Sequence, residues 1–230
     1  MASGATTLCR IVVALLALAS PWAHAQSYCS SDGQTQPARL LERFINADCD
    51  SCWAEGTVRA DRDELALDWI FPGSKGEDAP LSAAATSDAL ARLASLQRTP
   101  AAGVEAMRRV VQAPKRGLRV SHGLPFNGYL GTSLELKQPR TEHWTAWLLL
   151  VETIPAGSDG TPIERNLVRN ALQLDWPAGA ERPRLFESRP MSIPEGARPE
   201  RLRVVGWVQD GRGRMRAIAQ SRCTPPASGG

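Results

Sequence analysis

Ala38-Arg-Leu-Leu-Glu-Arg-Phe-Ile-Asn-Ala-Asp-Cys-Asp-Ser-Cys-Trp53 opens the ordered-looking part of the chain and carries its one redox-capable motif. The first nine residues have the length and apolar density of a buried strand, and they run straight into Cys49-Asp50-Ser51-Cys52. A two-residue gap at the start of a helix lets two thiols close a small ring, while the helix N-terminus favours a thiolate on the first. In that chemistry Cys49 attacks and Cys52 resolves the mixed disulfide. Gly56 and Thr57 limit the helix to about two turns, and Asp50 opposes thiolate formation by like-charge repulsion. The same pair is equally readable as a structural disulfide, and less readily as part of a metal site.

Downstream, Leu65, Leu67, Trp69 and Phe71 alternate on one face of a second strand, which Pro72-Gly73 ends. Ser87 to Leu96 carries a capping serine, an acidic first turn and leucines at helical spacing. Thr99-Pro100 then reads as the start of another helix with Val104, Met107 and Val111 on its buried stripe. From Gly117 the pattern becomes all-β: Leu118-Arg-Val-Ser, Gly131 to Leu136, Trp144 to Val151 and Leu172 to Trp176 are short alternating runs. Leu202 to Val208 and Met215 to Ile218 flank Asp210-Gly-Arg-Gly213, a hairpin signal. Trp144 and Trp147, three apart, point to opposite faces of a regular strand, which would leave one of them exposed. Arg165-Asn-Leu-Val-Arg169 reads as a strand edge with solvated arginines.

Upstream, Arg10, an apolar run from Ile11 and Ala23-His-Ala25 form an export signal of residues 1–25, cleaved after Ala25. The run is about half the roughly 20 residues that a membrane span needs, so no stable anchor is expected after cleavage. The product is then periplasmic or secreted. Cleavage removes Cys9, and the spacing of the remaining four cysteines favours Cys49 with Cys52 and Cys29 with Cys223, out of three possible pairings. The second bridge would join the two ends of the mature chain.

The 27 basic and 24 acidic side chains leave a net charge of +3, with no polybasic tract, so nucleic acid is not an expected partner. Gly-x-Ser-x-Gly and phosphate-binding glycine loops are absent from the sequence. His122 and His143 have no ligand spacing. No cofactor and no metal are expected.

The order Leu41 to Cys52, then Leu65-Ala-Leu-Asp-Trp69, then Arg165-Asn-Leu-Val-Arg169, then Trp207-Val-Gln-Asp-Gly211 resembles a family of secreted bacterial thioredoxin-like proteins of unknown function. The similarity spans about residues 38–220. It implies an α+β fold, with an abbreviated thioredoxin-like α/β unit over residues 26–115 and an antiparallel β-sandwich-like region over 116–223; the linker-like composition of residues 224–230 itself reads as a mobile tail. Cys49 and Cys52 match the family's C-x-x-C. The family usually adds a Thr-Pro-containing strand facing the cysteines, whereas here the chain is expected to pass from Thr99-Pro100 into a helix. Two functions are carried forward. One is thiol-disulfide exchange with protein thiols or disulfides through Cys49 and Cys52; the other is a non-catalytic periplasmic binding module stabilised by Cys49–Cys52 and Cys29–Cys223.

Overall fold

A computed structural model describes residues 29–114, 116–137, 142–179 and 185–223. The expected signal, residues 1–25, and the expected tail, 224–230, lie outside the described residues. Strands dominate: β1 (Cys29–Ser30), β2 (Arg39–Asn46), β3 (Glu64–Phe71), β4 (Val104–Val110), β5 (Leu118–Phe126), β6 (Tyr129–Leu136), β7 (Trp144–Ile154), β8 (Arg165–Trp176), β9 (Leu185–Ser192), β10 (Leu202–Asp210), β11 (Met215–Gln220) and β12 (Arg222–Cys223). The two α-helices among the described residues are α1 (Asp50–Glu55) and α2 (Ser87–Ser95).

Two sheets form a sandwich-like arrangement, one ordered β12-β1-β5-β6-β9 and the other β11-β10-β7-β8-β3-β2-β4. This corrects the expected α+β fold with a thioredoxin-like unit. Helices of six and nine residues are too short to cover both faces of a sheet, and apolar faces left open must be covered by something else. Here a second sheet does it, and strands from both sides of residue 115 lie in one seven-stranded sheet.

The interior strand β7 shows the division of labour. Trp144, Ala146, Leu148 and Leu150 pack toward the five-stranded sheet, and Trp147, Leu149 and Val151 pack into the other core. Trp144 and Trp147 do face opposite ways, but both are buried, because β7 is covered on both faces. Gly206 on β10 allows the close approach. A Cβ there would lie 2.7 Å from Leu134 Cδ1 and 2.8 Å from Val120 Cγ1.

The seven-stranded sheet curls until its outermost strands meet, with Gln112 N donating to Met215 O at 2.8 Å. Its concave face holds Leu40, Phe44, Leu67, Trp69, Trp147 and Trp207, and Ala89 and Leu93 of α2 join them. Thr86, not Ser87, caps α2, its Oγ1 accepting from Ala89 N. The expected helix after Pro100 is instead strand β4. Its helical stripe of Val104, Met107 and Val111 is too short to decide the period, and backbone pairing with β2 from Ile45–Val104 to Arg39–Val110 supplies the strand.

Glu42 and Arg92 meet inside this core, Nε to Oε1 at 2.8 Å and Nη2 to Oε2 at 2.7 Å. The guanidinium lies 4.6 Å from the Trp147 ring centroid and 5.0 Å from that of Trp207. Losing one partner leaves the other charge buried and alone, whereas losing both does not. A cycle of Glu42→Gln, Arg92→Met and the double variant, followed by urea unfolding, should therefore show a double loss smaller than the sum of the singles by at least about 1 kcal/mol. Additive losses would contradict this account of the pair.

Candidate functional site

β2 ends at Asn46, and α1 starts four residues later with Cys49 at its N-cap. Asn46 fixes the turn: its Oδ1 accepts from Asp48 N at 2.9 Å and its backbone O accepts from Cys49 N at 3.0 Å. Asp48 accepts from Ser74 N at 2.7 Å and Ser74 Oγ at 2.8 Å. A Cβ on Gly73 would fall 2.3 Å from the Asp48 carboxylate, so only glycine fits that approach. Desolvation works against the charged form of Asp48, but the hydrogen bonds from Ser74 and Lys75 outweigh it and hold its carboxyl below the ordinary range.

Cys49 and Cys52 are joined in a disulfide and both are half-buried. Cys52 packs against the small apolar cluster of Ile45, Trp53 and Ile70, which leaves Cys49 as the more approachable sulfur. The 99–103 segment runs beside the pair. Asn46 Nδ2 donates to Ala101 O at 3.2 Å, Asn46 N donates to Gly103 O at 3.0 Å, and a Cβ on Gly103 would sit 3.7 Å from Cys52 Sγ. Thr99 and Pro100, read as a helix start, are exposed in the loop that leads into β4.

Beneath α1 lies an ionic triad that sequence reasoning missed. Asp68 accepts from Arg43 Nη2 at 2.7 Å, from Arg165 Nη1 at 3.0 Å and from Asn166 N at 2.9 Å, and all three charged side chains are buried. Arg165 also donates to Trp53 O at 2.7 Å and Cys52 O at 3.2 Å, and it stacks 4.9 Å from the Trp53 ring centroid. It thus binds the carbonyl end of a short helix, where a cation is favourable. Burial pulls its guanidinium pKa below the usual value, and Asp68 pushes back. The solvated edge expected for Arg165 is therefore wrong. The available signal was Asp68 itself, an acid in the middle of the apolar run Leu65 to Phe71, which cannot be buried without partners.

Cys29 and Cys223 are disulfide-bonded and are register partners across β1 and β12. A ring nitrogen of His122 lies within 4.8 Å of both sulfurs. The sulfurs are bonded to each other, so this group presents no thiolate for a metal. Among the described residues no helix is long and apolar enough to cross a membrane.

The chain matches no protein-family model, no curated protein and no solved structure.

Proposed function

We propose that this is an exported protein, in the periplasm or outside the cell, that exchanges its Cys49–Cys52 disulfide with protein thiols. The observation that carries the reading is the half-exposed pair at the end of β2, with Cys52 held against the fold and the 99–103 segment alongside. A substrate thiolate attacks Cys49 Sγ, and the Cys49–Cys52 bond breaks with its electron pair leaving on Cys52. A second substrate thiolate then attacks the mixed disulfide and expels the Cys49 thiolate. The substrate dithiol is oxidised to a disulfide and the Cys49–Cys52 pair is reduced to the dithiol. The residue order that resembles the secreted bacterial family agrees with export and with use of these two cysteines.

Equilibration of the oxidised protein in glutathione buffers of graded potential, followed by thiol trapping and peptide mass mapping, tests this. Cys49 and Cys52 are expected to titrate together between about −120 and −270 mV, with Cys29 and Cys223 still paired. A close pair that stays oxidised below roughly −300 mV is a structural bridge, and the exchange reading then falls. In the same assay Cys49→Ser should abolish exchange and cost at most about 2 kcal/mol of stability, since the loop it opens is so short.

A further inference from the structure

A cleft of about 820 Å³ lies at the opposite end of the seven-stranded sheet from Cys49 and Cys52. It gathers the starting ends of β2, β3, β8 and β10 with the end of β11 and with β12. Its volume is in the range of small-molecule sites. One wall is apolar, with Pro37, Leu65 and Ile163, and the rest is rich in arginine.

Charge bookkeeping across the lining is uneven. Asp63 is paired with Arg39 at 3.7 Å, Glu64 with Arg108 at 3.2 Å, and Arg43 with Asp68 at 2.7 Å. Arg59, Arg62, Arg203 and Arg222 have no carboxylate within 4 Å among the described residues, and the one lining carboxylate left to offset them is Glu164. Arg203 is the decisive group. Its Nη1 donates to Gln220 Oε1 at 2.6 Å, but its Nε is buried with no partner. Burial pulls its guanidinium down to about 10, Glu164 opposes that shift and the like charge of Arg222 adds to it. A buried donor without an acceptor is costly, and a guanidinium fork matches an oxyanion in geometry and charge.

We infer that this cleft binds a small, multiply charged oxyanion, carboxylate or phosphate, with Arg203 as the inner contact and Arg222 as an outer one. The site shares no residue with the cysteine pair, and it stands whether or not the pair exchanges.

Calorimetric titration of the purified protein with citrate, and separately with inorganic phosphate, at matched ionic strength tests the inference. At least one probe should saturate at one ion per chain, and the tighter of the two identifies the headgroup. Arg203→Gln should weaken it roughly tenfold to a hundredfold, as expected for a lost charge-assisted hydrogen bond. Arg98→Gln, at an exposed pair with Glu105 outside the cleft, should leave affinity unchanged. No saturable binding of either probe overturns the inference, and so does an Arg98→Gln loss as large as that of Arg203→Gln. If circular dichroism shows that Arg203→Gln does not fold, Arg222→Gln decides: a several-fold loss supports the site and an unchanged affinity overturns it.

Discussion

Replacing Cys29 and Cys223 together by serine should lower unfolding free energy by about 5 kcal/mol, the largest loss expected from any pair of substitutions here. The bridge spans a sequence separation of 194, against 3 for Cys49–Cys52. Under the chain-entropy argument the penalty for closing a loop grows with the logarithm of its length, so the long bridge removes much more freedom from the unfolded chain than the short one. Folded-state contacts add to this. β1 and β12 have two residues each and pair with one another, and β1 is joined to the body through β5. Short terminal strands fray without such a tie. Urea unfolding at neutral pH measures the loss, and native-state hydrogen exchange at Ser30 and Ser31 should rise sharply in the variant. A loss below about 2 kcal/mol would mean that the unfolded chain gains little from release of its ends.

How much of this could be read from the sequence depended on whether a signal was local. Strands β2, β3 and β7 and the β10–β11 hairpin were legible because apolar alternation and glycine turns lie within each segment. Both disulfides were legible from four cysteines and their spacing. β4 was not, because Val104 to Val111 satisfies a helical stripe as well as it suits a strand, and its partner β2 lies about 60 residues upstream. The architecture failed for the same reason. A strand, a C-x-x-C and a short helix are compatible with several sheets, and nothing local says that β3 will continue into β8 through the single Asp68–Leu167 pairing. Arg165 shows the cost of reading residues singly. It looks solvated in its own segment, and only the alignment of β8 with β3 brings it to Asp68. The arginine cleft is assembled from six separate strand ends and had no contiguous signature at all.

That alignment makes Asp68 the most consequential single residue. Asp68→Asn keeps the side-chain shape, yet it removes the only carboxylate paired with Arg43 and Arg165 among the described residues. Both guanidiniums then remain buried without compensation, a condition that costs about 3–5 kcal/mol when a buried pair is broken. The effect should spread in a defined direction. Arg165 holds the carbonyls of Cys52 and Trp53, and Asp68 also accepts from Asn166 N at 2.9 Å, so the substitution loosens both α1 and the start of β8. Hydrogen exchange over residues 50–55 should therefore accelerate more than exchange over residues 144–151 of β7, whose buried side chains pack in the two larger cores. Adding Arg43→Met to Asp68→Asn should restore part of the stability, because one uncompensated charge is replaced by an apolar side chain of similar length. A double variant as unstable as the sum of its parts would show that the loss comes from packing around Asp68 and not from the stranded charges.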